Sequence, residues 1–527
     1  MYDQNNAAIN KSAPNPWIIA LTVTLATFME ILDTSIANVA LPHIAGGLAA
    51  STDESTWVLT SYLVANAIVL PLSGWFSSIF GRKNFYRACV LLFTLSSLLC
   101  GFAPSLALLV LFRVLQGAAG GGLQPSEQAI LVDTFPREKL GMGMAVYGVA
   151  VLVAPILGPI LGGWITDNYS WRWIFFINIP VGIVSLVLTS FLIQDPPHMM
   201  RRSLSAGMSI DYVGLGLLGL GLGSLQIVLD RGQRLDWFDS PFIVVLSLLA
   251  AVGLVAVYLW ESSRKDPMVD VSLTKNRNFL LSNLTMFMLG FVLYGSIMLL
   301  PLLLQTLEGF PSATAGLAIA PGALGTMFLM PVVGTLVRKV QARWLILFGL
   351  LVLAASGFMM AGFSLETDFW AAVLARLVQG VGLAFLFIPI NTAAYAFVPP
   401  EKSNAASALI NLGRNMGGSV GIATATTLLA RRSQFHQHVL VGHLTPLDPA
   451  YQHGLGATAG LLAAQGTAGA QSVAQAQGFL YGQLQRQAAM MAFVDAFWIM
   501  AVASVLSIPL ALLLKKTDPA KAHAGAH

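Results

Sequence analysis

The sequence predicts an all-helical integral membrane protein with fourteen transmembrane helices, arranged as two six-helix bundles with a two-helix insertion between them. Three observations predict it. The 527-residue chain is 56% hydrophobic and only 10% charged, with a mean hydropathy of +0.73, a composition foreign to a soluble domain of this length. Fourteen apolar segments follow one another along it, of the size that crosses a bilayer, which takes about 20 residues. A five-residue motif occurs twice, 263 residues apart, as Arg113-Val114-Leu115-Gln116-Gly117 and Arg376-Leu377-Val378-Gln379-Gly380.

A polar tail, 1–16, precedes the first segment, 17–41, which is too long for a signal-peptide core and is therefore retained as span 1. Segments 57–80, 87–103, 106–130, 141–166 and 173–193 complete the first bundle, 17–193. Segments 212–231 and 241–260 form the insertion, 212–260. Segments 280–304, 313–338, 343–363, 370–396, 404–429 and 490–514 form the second bundle, 280–514. A loop, 430–489, separates its last two spans, and a tail, 515–527, closes the chain. Gly and Pro occur freely inside these segments, as membrane helices allow.

The insertion follows from the repeat. Its offset persists downstream, where Pro136, Glu138, Lys139 and Gly158 match Pro399, Glu401, Lys402 and Gly421. Span 4 maps onto span 12 and span 5 onto span 13, so spans 7 and 8 fall outside the repeat. An even shift keeps both halves running in the same direction, a parallel repeat that places a cavity near the midplane between two bundles.

Basic residues set the orientation. With the N-terminus in the cytoplasm, 19 of the 28 Lys and Arg residues lie on cytoplasmic segments, 6 on the opposite side, and 3 (Arg113, Arg376, Arg414) inside spans. Both termini are therefore expected in the cytoplasm, and the 430–489 loop outside. This asymmetry accounts for the net charge of +4 without nucleic acid as a partner. No phosphate loop is present, so ATP is not the expected energy source. Nor is there a nucleophile–base or metal-ligand set, so no enzyme, metal or cofactor is expected. His436, His438, His443 and His453 are too loosely spaced for a metal, and Gly214-Leu215-Gly216-Leu217-Leu218-Gly219 has no preceding strand and reads as helix packing. Cys89 and Cys100, both in span 3, read as structural thiols.

The ionisable residues inside the spans carry the chemistry. Glu30 and Asp33 lie on one face of span 1, where an ionised acid costs about 2.5 kcal/mol or more and usually faces a cavity. Counting residues puts Asp33 and Arg113 at similar depths, roughly 10–12 Å below the outer edge. A carboxylate alone in that medium holds its proton, whereas one beside a guanidinium releases it, so a movement separating the two would couple protonation to conformation. A static ion pair orienting spans 1 and 4 is the alternative. Glu30, one turn deeper, reads as a second proton site, a counter-charge for a cationic substrate, or a protonated hydrogen-bond donor. Glu127, at the inner end of span 4, either meets substrate at the cytoplasmic mouth or snorkels to the interface. Arg414, at mid-depth in span 13, reads as a donor to neighbouring helix carbonyls, an anion ligand, or a balance for the span 1 acids. Arg376 has no acid facing it from span 9, where the match to Asp33 falls among apolar residues near Val292. Asn38, Asn66, Gln116, Gln124 and Asn391 join Glu127 and Arg414 as candidates for the cavity wall.

These residues sit in motifs that resemble the major facilitator superfamily, in particular its fourteen-span drug:proton antiporters and the EmrB-type multidrug exporters among them. Asp33-Thr34 through Leu41-Pro42 resembles the first-span signature of that group, and Arg113 through Gly117 its fourth-span motif. Gly148 with Ala154-Pro155, Gly158-Pro159 and Gly162-Gly163 resembles the fifth-span antiporter motif. Trp171-Arg172-Trp173, Asn178, Pro180, Leu229-Asp230-Arg231-Gly232 and Asp236-Trp237-Phe238 resemble the EmrB-type group. Between spans 2 and 3 the loop motif keeps Gly74 and Gly81-Arg82-Lys83 but lacks the usual Asp, so closure there is expected to rely on other contacts.

The resemblance implies proton-coupled export of hydrophobic toxic compounds by alternating access. Asp33, Glu30 and Arg113 would carry the coupling, and the fifth-span glycines and prolines would seal the cavity against a helix of the other half. It further implies the inner membrane as location, and a periplasmic adaptor (an EmrA-type membrane fusion protein) and an outer-membrane channel as partners, with an amphipathic helix in 430–489 suited to the adaptor. An exporter dedicated to one metabolite such as a fatty acid or siderophore, a proton-coupled nutrient importer, and a membrane sensor or scaffold without transport are the other readings.

Overall fold

A computed structural model describes residues 15–136, 139–195, 211–264, 267–465 and 469–516; most of both expected tails and the repeat position Glu138 lie outside them. The described residues are helical throughout, without strands. Among the described residues, thirteen helices are long and apolar enough to cross a membrane. Spans 1–6 are Pro16–Gly47, Asp53–Phe80, Arg82–Phe102, Leu106–Thr134, Leu140–Asn168 and Trp173–Leu192. Spans 7 and 8 are Tyr212–Arg231 and Pro241–Ser263. Spans 9–12 are Arg277–Thr306, Thr314–Leu336, Ala342–Ala361 and Phe369–Tyr395, and span 14 lies in Ala470–Leu512.

The helix Ser403–Val441 stands where span 13 is expected, but hydropathy alone does not pick it out. Asn404, Asn411 and Arg414 lower its mean, and all three are buried. It runs parallel to span 9 at very short distance. A Cβ on Gly417 would come within 2.0 Å of the Phe287 carbonyl oxygen, and one on Gly421 within 2.2 Å of that of Phe291. Small residues permit such backbone approach, the main device of helix association in lipid. The repeat uses it twice more. Gly117 of span 4 rests on the Tyr62 carbonyl of span 2, and its counterpart Gly380 of span 12 rests on the Gly322 carbonyl of span 10.

Spans 1–6 pack on one another, as do spans 9–14, and the two bundles meet along spans 5 and 10 and along spans 2, 4 and 13. Lys515, just after span 14, exchanges hydrogen bonds with Asn278 at the start of span 9, so span 14 ends where span 9 begins. That side is called here the terminal face. At this face the bundles touch closely, Gly141 against Gly334 and Gly74 against the Ala405 backbone. Arg82 pairs with Asp133 and donates to Ser403 of the second bundle. The loop motif's missing Asp is thus replaced by an acid at the end of span 4. Gly81 takes a positive φ of 82° between spans 2 and 3, and Lys83 bonds the carbonyl of Ser190.

The insertion leans on both bundles at the distal face. Asp230 accepts from Thr60, Arg231 pairs with Asp53 and stacks on Trp57, while Gln226 and Trp237 reach Ser419 and Thr427 of span 13. The expected loop 430–489 is largely helix. Span 13 continues unbroken to Val441, a helix Pro449–Ala464 follows under an Asp448 cap, and the helix Gly469–Leu506 leads straight into span 14.

Candidate functional site

Three buried layers of polar side chains cross the first bundle. In the most distal one, Asp33 accepts from Arg113 Nη1 at 2.5 Å, from Gln116 Nε2 at 3.1 Å and from Asn178 Nδ2 at 2.7 Å. The arginine is held as firmly as the acid. Its Nη1 also donates to Gln116 Oε1 at 2.8 Å, its Nε to the Val58 carbonyl at 3.0 Å, and its guanidinium lies 4.3 Å from the Tyr62 ring centre. Asn178 is anchored in turn by Ser97. Spans 1, 2, 3, 4 and 6 therefore meet at one carboxylate.

One helical turn along span 1, Glu30 forms the second layer. Its Oε1 accepts from Tyr62 Oη at 3.0 Å and Asn66 Nδ2 at 3.3 Å, and its Oε2 from Gln124 Nε2 at 2.5 Å. Tyr62 thus touches both layers. Gln124 Oε1 accepts from Arg414 of the second bundle, which also donates to Tyr147 Oη at 3.0 Å. From there the network continues through Asn411 to Gln128, which accepts at 2.8 Å from Ser407 and at 3.1 Å from Tyr395. Among the described residues, the hydrogen bonds between the two bundles all lie from this level to the terminal face. In the third layer Glu127 accepts from Thr24 at 2.5 Å.

Buried charge demands such partners, because removing one member of a buried pair typically costs about 3–5 kcal/mol. The same requirement corrects several expectations. Arg414 donates to side chains, not to helix carbonyls. Glu127 is fully buried and does not snorkel. The residue facing Arg376 is Ser296, four positions beyond Val292. Arg376 Nη1 donates to it at 3.2 Å and Gln379 Nε2 at 2.8 Å.

The fifth-span motif divides. Gly148 abuts Met330 and Phe387 of the second bundle, as a seal would. Gly158 and Gly162 instead pack on Ser35 and Ile36 of span 1, and the Pro155 carbonyl accepts from Ser35. Pro159 is half-buried, and Gly163 faces open space. Among the cavity candidates, Asn66, Gln116, Gln124, Glu127 and Arg414 come together. Asn38 is exposed nearer the distal face, and Asn391 donates to its own helix at Phe387.

Reading the sequence missed Tyr62, Tyr147 and Asn411. Phenols count as aromatic bulk, so nothing in the pattern marks two of them as hydrogen-bonding. Asn178 stands in a quoted motif without a role.

Residues 23–422 match the profile of the Major Facilitator Superfamily. The chain is 38% identical over 485 residues to the multidrug export protein EmrB of Escherichia coli K12, covering 92% of each. It is 39% identical to the fatty acid resistance protein FarB of Neisseria gonorrhoeae, over 96% of this chain and 97% of that protein. It is 30% identical to the colistin resistance protein EmrB of Acinetobacter baumannii, over 82% and 84%. Two solved transporters share the fold. The proton:xylose symporter XylE gives a TM-score of 0.59 at 13% identity, covering 96% of this chain and 97% of that one. The human organic anion transporter MFSD10 gives 0.57 at 15%, covering 93% and 100%. The chain is a multi-pass membrane protein that belongs to the Major Facilitator Superfamily and, within it, to the EmrB-type group.

Proposed function

We propose that this protein is a proton-coupled exporter of hydrophobic and amphipathic toxic compounds, working by alternating access of its two bundles. The observation that carries the reading is the placement of two carboxylates, Asp33 and Glu30, on one buried face of span 1, the second linked through Gln124 to Arg414 of the opposite bundle. A proton taken up at either acid alters bonds that hold helices together, which is what coupling requires. Asp33 and Glu30 load from outside and discharge inside while substrate leaves. The relatives' names, multidrug export and fatty acid resistance, support the direction and the apolar substrate class.

The excess of basic residues on the terminal side supports an inner-membrane location with cytoplasmic termini. The distal helices would then project into the periplasm. Five leucines, among them Leu440 and Leu480, line a cleft there beside His443, Gln483, Arg486 and Gln487, a mixed surface that suits an adaptor of the membrane-fusion type leading to an outer-membrane channel. One alternative is favoured by a specific feature. Arg414 at the bundle interface and the fatty acid resistance relative suit an exporter dedicated to an anionic lipid-like metabolite.

The test uses proteoliposomes holding only this protein, an imposed pH gradient and a lumenal pH dye. Lipophilic cations and fatty acids are added in turn to wild type and Asp33→Asn. Substrate-driven proton movement that disappears in the variant supports the reading and names the charge class. Wild type that carries substrate with no proton movement refutes antiport.

A further inference from the structure

We propose that Gln124 is the positioning residue through which the protonation state of Glu30 sets the bond between the two bundles. The inference rests on the reading of Glu30 as a proton site and adds the path from that proton to the movement.

Gln124 stands between two groups of opposite hydrogen-bonding character. An ionised carboxylate only accepts and a guanidinium only donates, so an amide between them has one satisfactory orientation, nitrogen towards Glu30 and oxygen towards Arg414. The structure holds that orientation, with Nε2 at 2.5 Å from Glu30 Oε2 and Oε1 accepting from Arg414. Tyr147 Oη lies 3.5 Å from the same oxygen. All four side chains are buried, so water does not substitute readily.

A proton on Glu30 breaks this arrangement. Oε1 carries bonds from Tyr62 and Asn66, whereas Oε2 carries the one bond that leads through Gln124 to the second bundle, so Oε2 is the oxygen at which a proton disturbs that link directly. An O–H turned towards Gln124 meets an N–H, and one turned away leaves only a neutral oxygen to accept from it. Turning the amide restores the bond to Glu30 but presents its nitrogen to Arg414, where donor again meets donor. Turned, the amide no longer accepts from Arg414 and the two bundles lose a charge-assisted bond; unturned, it loses the charge-assisted bond to Glu30 that holds its oxygen on Arg414, so protonated Glu30 favours their separation at the terminal face. The other charged or titratable groups around Glu30 are Asp33 on its own helix, Tyr62 from span 2, Arg113 and Glu127 from span 4, Tyr147 from span 5 and Tyr294 from span 9. Of these, only Tyr147 also touches the Gln124 oxygen.

The test reads bundle separation directly in the full-length protein in nanodiscs. Spin labels go on Lys139→Cys and Lys339→Cys, exposed positions beside the Gly141–Gly334 contact, and the native thiols of Cys89 and Cys100 are buried. The expected result is a distance that grows on acidification. Gln124→Met, similar in length but without polarity, removes that pH dependence. Gln124→Glu, which can approach Glu30 only when one of the two acids is protonated, moves the midpoint up by about one pH unit or more. A merely structural role for Gln124 would lower thermal stability without moving the midpoint. If Gln124→Met keeps the wild-type pH profile, the inference is overturned while proton coupling stands. If Glu30→Gln keeps it, or if wild type shows no pH dependence, the inference falls together with the reading of Glu30 as a proton site, and proton coupling rests on Asp33 alone.

Discussion

Arg113 and Arg376 occupy equivalent positions in the two bundles, each bonded to the glutamine three residues on, but only Arg113 meets a carboxylate. Where span 1 places Asp33, span 9 places Ser296, 263 residues later, and the pattern of donors is otherwise kept: arginine and glutamine both point at one side chain. The first bundle can change its charge at this point and the second cannot. Asp33→Ser copies the arrangement around Arg376, so it is expected to fold and to lose proton coupling. Asp33→Leu leaves Arg113 with no side-chain acceptor at that place and should cost about 3–5 kcal/mol. Thermal melts of the two variants beside proton flux separate the structural loss from the functional one; equal melts would contradict the account.

The fifth-span motif supplies a paired comparison. A Cβ on Gly158 would stand 2.2 Å from Ser35 Oγ, whereas one on Gly163 meets nothing within 4 Å. Gly158→Ala should therefore push span 5 off span 1, destabilise by about 1–3 kcal/mol and abolish transport. Gly163→Ala should stay within about 0.5 kcal/mol of wild type. Melting temperature and drug efflux in cells check both, and a harmful Gly163→Ala would mean that this glycine serves another conformation.

At the terminal face, Arg82 is clamped by Asp133, the Ala129 carbonyl and Ser403. Arg82→Ala takes a guanidinium away from the largely buried Asp133 and removes the bonds to the Ala129 carbonyl and Ser403, a loss of about 3 kcal/mol that falls on the closed terminal face. Spin labels at Lys139 and Lys339 should then report separation even at neutral pH. The apolar double variant Arg82→Met with Asp133→Leu should fold better than Arg82→Ala, since both members of the buried pair are removed together.

The insertion is tied to the first bundle by charge and to the second by weaker neutral bonds. Arg231 joins Asp53 and Trp57, whereas Gln226 and Trp237 reach Ser419 and Thr427. Spans 7 and 8 are therefore expected to travel with span 2. A disulfide-forming cysteine pair between spans 2 and 7 should leave transport near wild type, while one between spans 7 and 13 should arrest it.

Much of this was legible before any coordinates. The repeated Arg-Gln-Gly motif assigned span 4 to span 12, and counting residues along two helices brought Asp33 and Arg113 to one depth. The failures have physical causes. The helix Ser403–Val441, expected as span 13, falls short on hydropathy alone because Asn411 and Arg414, buried against the other bundle, read as solvent-seeking. Ser296 escapes notice because a hydroxyl in a membrane helix carries no warning of its own. The direction in which Gly158 faces, towards span 1 and not across the interface, depends on helix rotation, which small-residue spacing does not set. The hydrogen bonds of Tyr62 and Tyr147 depend on neighbours more than twenty residues away.

The uninterrupted helix Ser403–Val441 joins the midplane to the distal helices as a single rigid rod. From Arg414 to Val441 it extends about 40 Å at the ordinary helical rise. A tilt of about 10° around the arginine, modest for bundle rocking, would swing the far tip by about 7 Å. In the proposed mechanism this helix is a lever that pivots at the Gln124–Arg414 bond and whose long arm reaches Val441 on the distal side. On that mechanism, whatever touches the tip would feel each turnover as a mechanical stroke.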